Sequence, residues 1–237
     1  MSGTIGDNTG KQSGVIASGA GGIDIVDTDP TASEGTVFFN TSDNVLKVFN
    51  NVGAWSSGGS LSVDFDFAGG CGTQDAAMGA GPDDDTDGTQ EYNGSAWSAG
   101  GNMNHARYWL SNFGTQTAAT SCGGYASGLS NETEEYNGSS WSSGGNMSAA
   151  KRDFEAVGTQ TDALNFGGDT GSMVTTTEKY DGSSWSTEGN SLATAKEQHC
   201  GSGTSSSALA WGGSDGSDSR TSEEWAQAVT AQTVTDS

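Results

Sequence analysis

Apolar and polar residues alternate over short stretches of four or five residues, and glycine, serine, asparagine and aspartate separate these stretches. Alternation with a period of two indicates half-buried β-strands, and no long segment shows the apolar stripe of an amphipathic helix. In one representative segment the pattern predicts strands over residues 153–157, 162–166 and 176–180, followed by a short strand around Trp185. We therefore expect an all-β fold.

Pairs of Asn-Gly or Asp-Gly separate the last two predicted strands. They follow a tyrosine in Tyr92-Asn93-Gly94 and recur at Asn137-Gly138 and Asp181-Gly182. Such pairs are typical of two-residue hairpin turns, in which both central residues have positive φ. The sequence therefore predicts a two-residue turn at each of these places.

The predicted strands belong to a repeat of about 44 residues. EYNGSAW (91–97) returns as EYNGSSW (135–141) and KYDGSSW (179–185), while a Gly-Thr pair and a double glycine recur in the same register. Four-stranded propeller blades have this period. The aromatic residues that mark the repeat are Trp55, Tyr92, Trp97, Tyr136, Trp141, Tyr180, Trp185 and Trp225.

The composition taken alone is typical of a disordered chain. The 237 residues include 38 glycines and few large aliphatic residues, and 30 acidic against 8 basic residues give a net charge of −22. The periodic aromatic residues argue against disorder, because each buries roughly 150–250 Å². The charge excludes nucleic acid as a ligand, since phosphate binding needs lysine and arginine.

Other protein classes are also disfavoured. No apolar run approaches the length of a membrane helix, and the N-terminus has no basic region followed by a long apolar stretch, so neither membrane insertion nor a secretory signal is expected. Cys71, Cys122 and Cys200 are far apart, which argues against a disulfide scaffold and a CxxC metal site. Cys122 stands where other repeats have Phe166 or Trp211, so we expect it in the core.

The double glycine, the tyrosine and the tryptophan shortly after it resemble the kelch motif. Residues 135–168 are similar to the kelch-like repeats common in structural and tail-fibre proteins of marine bacteriophages. Residues 30–55 resemble a short β-hairpin module found near the start of many phage tail-fibre and virion proteins. The resemblance implies a small kelch-like β-propeller of four full blade repeats, and it covers roughly residues 55–225.

The same resemblance implies a division of the chain into three parts. These are an extended docking arm over 1–30, a β-hairpin module over 31–57 and kelch-like propeller repeats over 58–237. Four units are fewer than is usual for kelch propellers, so three forms of ring closure stay open: by the hairpin of 36–57, by residues 228–235, or between chains. Stacked repeats that need neighbours to bury their faces predict a homo-oligomer.

One acidic loop is a candidate calcium site. Asp83, Asp85 and Asp87, followed by Gly88, match positions 1, 3, 5 and 6 of a calcium-binding loop, but position 12 is Gly94 instead of glutamate. A solvated acidic loop at a blade tip is the alternative. No other cofactor is expected.

Three basic residues, Arg107, Lys151 and Lys196, each lie seven residues before the Gly-Thr pair. They would form either a ring of cations that binds an acidic glycan, or ion pairs with glutamates of an adjoining blade. Their repetition in register favours ion pairs. The glutamates considered are Glu91, Glu135 and Glu178.

A candidate receptor-binding set is Arg107, Tyr108, Trp109 and Arg152. Tyr108 and Trp109 follow Arg107 directly, where the third repeat has Arg152 and Asp153. Aromatic rings beside a cation can form a platform on which a sugar stacks. The alternative is that these rings fill a gap against a neighbouring blade.

No catalytic constellation is apparent, so we do not expect an enzyme. His105 and His199 stand at unmatched positions of the repeat without a metal-ligand neighbour. A sialidase-like propeller would need three converging arginines, and Arg107, Arg152 and Arg220 have no evident reason to converge.

The resemblance implies a phage virion structural protein, made in the host bacterial cytoplasm. It would be a tail fibre or a surface-displayed adhesin that binds host surface glycans through loops of the propeller, and its N-terminal arm would dock on other virion proteins. One alternative is an architectural capsid-decoration or tail-collar protein without a receptor role. A second is a glycan-degrading propeller enzyme.

Overall fold

The computed structural model describes residues 24–26, 37–42, 44–48, 55, 57–66, 68–82 and 87–227. Every regular element in this part of the chain is a β-strand, which confirms the all-β prediction. No helix there is long and apolar enough to cross a membrane. The chain divides into two compact units, Met1–Ser57 and Gly58–Ser237.

The first unit contains one three-stranded sheet. Strand β2 (Val37–Asn40) pairs in parallel with β1 (Asp24–Val26) and antiparallel with β3 (Val45–Val48). The β2–β3 hairpin lies inside the segment for which a hairpin module is predicted. Most of the predicted docking arm over 1–30 and the candidate closing segment 228–235 lie outside the described residues.

The second unit is a four-bladed β-propeller built from antiparallel sheets in which consecutive strands are neighbours. Blades 1 to 3 have four strands each, and blade 4 has three in the described part of the chain. Blade 1 consists of β4 (Gly69–Thr73), β5 (Ala76–Ala80), β6 (Thr89–Tyr92) and β7 (Trp97–Ala99). Blade 2 consists of β8 (Ser111–Thr115), β9 (Ala118–Cys122), β10 (Thr133–Tyr136) and β11 (Trp141–Ser143). Blade 3 consists of β12 (Glu155–Thr159), β13 (Asp162–Phe166), β14 (Thr177–Tyr180) and β15 (Trp185–Thr187), and blade 4 of β16 (Cys200–Thr204), β17 (Ser207–Trp211) and β18 (Ser222–Ala226).

The prediction of two-residue turns after the tyrosines is wrong. Tyr92 pairs with Trp97, so the loop has four residues, and only Gly94 in it has positive φ. The Asn93 side chain closes this loop by accepting hydrogen bonds from the backbone N–H groups of Ser95 (3.1 Å) and Ala96 (2.9 Å). Asparagine and aspartate therefore act here through the side-chain acceptor, a local bond that competes with regular hairpin geometry.

Two-residue hairpins occur instead at the Gly-Thr pair. Thr159 pairs with Asp162, which leaves Gln160 and Thr161 as the turn. Gly158 precedes this turn with φ of 123°, a conformation that glycine adopts without steric cost. The Gly-Thr repeat thus marks the inner hairpin of every blade.

Consecutive blades pack face to face, with the inner strands β4, β8, β12 and β16 in sequential contact. A separate hydrophobic cluster fills each joint between blades. Phe113, Cys122, Met147, Phe154 and Tyr180 belong to the cluster between blades 2 and 3. Cys122 is fully buried, as predicted, and burial raises the pKa of its thiol to about 12.

The repeated polar residues join neighbouring blades by hydrogen bonds. In blade 3 the Tyr180 hydroxyl donates to Glu135 of blade 2 (2.6 Å) and the Trp185 indole donates to Thr133 (2.9 Å). The Gln160 amide donates to two backbone carbonyls of blade 2. Blade 2 binds blade 1 through the corresponding donors, which are Gln116, Tyr136 and Trp141. We call these three side chains the rear donors of a blade.

Candidate functional site

The structure separates Arg107 from the other candidate receptor-binding residues. Its side chain is only 1% exposed, and its guanidinium lies 3.2 Å from Glu134 and 3.0 Å from Glu132. Burial withdraws this cation from any ligand at the surface. Arg107 therefore stabilises the interior of blade 2 through ion pairs with two glutamates of that blade.

Lys151 and Lys196 occupy the same position in blades 3 and 4. Lys151 Nζ lies 3.8 Å from Glu178 and donates to Asn165 (2.6 Å), and Lys196 Nζ lies 3.4 Å from Glu223. Burial lowers the pKa of Lys151 to about 8, although Glu178 opposes this shift. The three cations are thus buried ion pairs, as their repetition favours.

Their partners differ in part from the expected ones. Each cation pairs with a glutamate of its own blade, and of the three glutamates considered only Glu178 has this role. Glu91 and Glu135 instead accept the tyrosine hydroxyls of the following blade. The difference arises because adjacent residues of a strand point to opposite faces of the sheet.

The other three candidates meet on one surface, together with Tyr125. The Arg152 guanidinium lies 4.4 Å from the ring centroid of Trp109 and 5.7 Å from that of Tyr125. Tyr108 packs edge-on against Trp109 at 4.8 Å and lies 5.8 Å from Tyr125. We call Tyr108, Trp109, Tyr125 and Arg152 the aromatic–arginine cluster; all four are partly exposed.

The backbone beneath the cluster is the same in successive blades. Trp109, Asp153 and Gln198 have φ of 55°, 55° and 53°, a conformation that is uncommon for residues other than glycine. The Asp153 N–H donates to the Trp109 carbonyl and the Gln198 N–H donates to the Asp153 carbonyl. The repeat therefore imposes the conformation, and only the side chains differ between blades.

A second repeated contact holds the loops after the double glycines. Tyr108 bridges to Tyr125 in blade 2, and Arg152 bridges to Asp169 in blade 3. Tyr125 and Asp169 each follow the double glycine directly. Sequence reasoning missed both residues, although their position at the start of a loop that varies between repeats was a usable signal.

Carboxylates outnumber the one cation around the cluster. Arg152 donates through Nε (3.2 Å) and Nη2 (3.1 Å) to Asp169, and Nε lies 3.5 Å from Asp153. Burial raises the pKa of Asp153 while Arg152 lowers it, and burial together with Asp169 and Asp153 raises the pKa of Glu197. The surface combines aromatic rings with one cation and several carboxylates, a set that suits hydroxyl-rich ligands.

A polar groove continues from the cluster along the loop that begins at Tyr125. Asn104, His105, Gly128, Leu129 and Glu132 line it. His105, for which the sequence shows no metal-ligand neighbour, lies with its Nδ1 3.1 Å from the Glu132 carboxylate. The groove supplies hydrogen-bonding groups beside the aromatic rings.

The other histidine is buried in an apolar setting. The ring of His199 packs at 5.5 Å from that of Phe166, and neither ring nitrogen has a hydrogen-bond partner. Burial is the main cause that lowers the pKa of His199 to about 4, and the positive charge of Lys196 contributes to this shift. His199 is therefore a neutral core residue of the joint between blades 3 and 4.

The candidate calcium loop is described only in part. Asp83 and Asp85 lie outside the described residues. Asp87 lies inside and accepts a hydrogen bond from the Asn102 amide at 2.8 Å. Within the described ranges, no group of three or more His, Cys, Asp or Glu side chains is placed to hold a metal ion.

Comparison with known proteins identifies the fold. No protein-family model matches the sequence, and no curated protein sequence matches it. The solved structure titled "Structure of YjhT" matches with a TM-score of 0.55 and 13% identity over 65% of this chain. The match spans 58% of YjhT's length. At this identity the likeness shows the β-propeller fold alone.

Proposed function

We propose that this chain is a bacteriophage virion structural protein whose propeller is displayed outward and binds glycans on the host surface. The aromatic–arginine cluster is the observation that carries the binding role. Kelch-like repeats and a hairpin module that resemble phage tail-fibre proteins support the placement in a virion. The first unit would anchor the chain to other virion proteins.

The chemistry of the cluster favours neutral sugars or sugars of low charge. Aromatic rings offer apolar area to the C–H face of a pyranose, and carboxylates accept hydrogen bonds from its hydroxyl groups. Arg152 is already engaged by Asp169, so it orients the rings and the carboxylate instead of offering an unpaired cation. A chain of net charge −22 would in addition repel a polyanion.

A single site of this size would bind weakly. Several copies on one particle convert weak binding into firm attachment, because later contacts form at high effective concentration. The rigid blades hold the loops in place, which reduces the entropy lost on binding. Attachment by many shallow sites is therefore the expected mechanism.

The test compares two variants of the aromatic–arginine cluster with a control variant in blade 4. Trp109→Ala and Arg152→Ala should each reduce binding to immobilised host lipopolysaccharide and capsular polysaccharide at least tenfold. Gln198→Ala is the matched control, because Gln198 has the same backbone conformation in blade 4 and should leave binding unchanged.

Two results would contradict the proposal. One is equal binding by all three variants, and the other is a labelled antibody that finds the protein in infected cells and not on purified particles. Particles that lose integrity without the protein, while the purified chain binds no cells, would indicate the architectural role. Shortened polysaccharide after incubation would indicate an enzyme.

A further inference from the structure

Blade 4 has no outer strand in the part of the chain that the structure describes. The outer strands of blades 1 to 3 each begin with a tryptophan, namely Trp97, Trp141 and Trp185. Blade 4 ends at β18 in the described part of the chain, and no tryptophan follows Trp225 in the sequence. The position that would hold the fourth tryptophan of the series is therefore not supplied by the blade's own sequence.

A cavity of about 50 Å³ marks that position. Its lining includes Leu164, Phe166, Thr177, Leu192, Ala208 and Trp225, at the joint of blades 3 and 4. Two blades earlier, the corresponding residues of the repeat surround a tryptophan: Trp141 packs in one cluster with Met78, Ala80, Met103, Ala119 and Tyr136. Its indole donates to Thr89 at 2.9 Å, and Thr177 is the equivalent threonine. The cavity thus has the lining of a tryptophan site.

The chain also carries an outer-strand sequence that has no blade of its own. Residues 49–59 (FNNVGAWSSGG) match residues 92–101 (YNGSAWSAGG), which form the outer strand of blade 1 and the glycines after it. Trp55 stands at the tryptophan position, and its side chain is fully exposed, at 105%. Three residues later, a Cβ on Gly58 would lie 3.3 Å from the Tyr92 hydroxyl, as one on Gly100 would lie 2.7 Å from that of Tyr136.

We call the face of a blade that packs against the preceding blade its rear, and the face that packs against the following blade its front. The rear of blade 1 carries hydrogen-bond donors, and the front of blade 4 carries the matching acceptors. Blade 1 has all three rear donors, Gln74, Tyr92 and Trp97, and none of them has a hydrogen-bond acceptor within the described ranges. The equivalent acceptors at the front of blade 4 are Ser222 and Glu224, and both are exposed. The matching threonines Thr89, Thr133 and Thr177 are 1–2% exposed because a following blade covers them.

The surroundings of the double glycine in blade 4 also indicate that no blade covers its front. In blade 3 a Cβ on Gly167 would lie 2.8 Å from the Lys196 carbonyl oxygen of the following blade. At the equivalent Gly212 nothing lies within 4 Å. In the described part of the chain, β16 and β4 also lack the packing that joins consecutive inner strands. Blade 1 of the same chain does not cover this front face.

We propose that a second copy of this chain covers the front of blade 4: its blade 1 docks on Ser222 and Glu224, and its Trp55 fills the cavity beside Leu192 and Thr177. The contact is reciprocal, so two copies close one ring of eight blades. Propellers of four to eight blades are common, and closed symmetry is the rule among homo-oligomers. Trp55 of the partner then takes the place of the outer-strand tryptophan of blade 4.

The first test is the mass of the purified full-length protein. Light scattering in 0.5 M salt, which screens the repulsion between two acidic copies, should give twice the 24.0 kDa of one chain. Trp55→Ser should raise the dissociation constant of the dimer at least about 30-fold, since a central tryptophan contributes about 2 kcal/mol or more to an interface. Leu46→Ser, which changes another exposed apolar residue of the first unit, is the matched control and should leave the constant unchanged.

The second test locates the contact. In a Cys200→Ser background, chains with Trp55→Cys are mixed with chains with Leu192→Cys, and a disulfide between two chains is expected after oxidation. A monomer at all concentrations would overturn the proposal. A disulfide that forms only within a doubly substituted chain, Trp55→Cys with Leu192→Cys, would also overturn it, because Trp55 would then close its own ring. Glycan binding by Trp55→Ser, measured separately, tests the proposed function independently.

Discussion

Blade 1 differs from blades 2 to 4 in the residues that fill one interior position of the repeat. In blades 2 to 4 a buried Arg or Lys faces a glutamate of the same blade, and this glutamate is itself buried in blades 2 and 3. In blade 1 the position of the cation is occupied by Phe65 and that of the glutamate by Gln90. The Ser62 N–H and hydroxyl donate to Gln90, as the Ser148 N–H donates to Glu178 in blade 3.

A third residue of blade 1, Gly79, differs from blade 3 together with Phe65 and Gln90. A Cβ on Gly79 would lie 2.6 Å from the Phe65 ring, so the ring needs glycine at this position. The equivalent residue in blade 3 is Asn165, which accepts from Lys151 and donates to Glu178. At this position the fold requires that the space is filled and that buried polar groups have hydrogen-bond partners, but it does not require a charge. Replacing a buried ion pair by matched neutral groups is often neutral in stability, while removing one partner is costly.

The largest expected effect comes from breaking one ion pair. Lys151→Met should lower the free energy of unfolding by about 3–5 kcal/mol in urea titrations, because Glu178 would stay buried without its cation. Adding Glu178→Gln should restore most of this loss and approach the neutral chemistry of blade 1. A double variant as unstable as the single one would show that the joint of blade 3 depends on charge.

Glu155 carries a partly buried carboxyl that forms no ion pair within the described residues, and it provides a second test of the comparison. Burial raises the pKa of Glu155 to about 7, against an ordinary value of 4.5. Between these pH values the folded state keeps a proton that the unfolded state has released. Its contribution is therefore fully present below about pH 4.5 and is lost as the pH rises through about 7.

The measurement compares Glu155→Gln with the wild type. Relative to this variant, the wild type should lose about 2 kcal/mol of unfolding free energy between pH 4.5 and pH 7. Lys151→Gln should not reproduce the slope, because the pKa of Lys151 lies at about 8. A constant difference between wild type and Glu155→Gln across this range would contradict the assignment.

The smallest effect concerns the tyrosines of the repeat. Tyr180→Phe should cost about 1–2 kcal/mol, because its hydroxyl donates to the Glu135 carboxylate. Tyr92→Phe in the monomeric Trp55→Ser background should cost less than about 0.5 kcal/mol, since Tyr92 has no acceptor in the described part of one chain. Equal losses in thermal unfolding would mean that blade 1 is covered within a single chain.

Much of the fold could be predicted from the sequence because its signals are local and repeated. Alternation predicted the strands, and the 44-residue spacing predicted the blades. The turn after Tyr92 could not be predicted from the Asn-Gly pair alone. Its length depends on the side-chain bonds of Asn93, which favour a four-residue loop.

The candidate site was predicted in part for the same reason. Tyr108, Trp109 and Arg152 stood out as departures from a repeat, whereas Tyr125 and Asp169 belong to loops with no fixed spacing. Arg107 was grouped with them by proximity in sequence. The structure directs its side chain towards Glu132 and Glu134 and away from the surface, a distinction that neighbouring positions in a sequence do not reveal.

The sequence alone predicts the all-β class, the period and the residues that mark the repeat, because blades 1 to 3 encode the same strands and hydrogen-bond donors. Which blade supplies the acceptor for each hydrogen-bond donor depends on the tertiary structure. Tyr180 and Tyr92 are equivalent in sequence, yet of these two only Tyr180 has an acceptor among the described residues, because a preceding blade lies against it. Partners across a joint come from residues about 45 positions away, so only the stacking of blades fixes which faces are covered and which remain open.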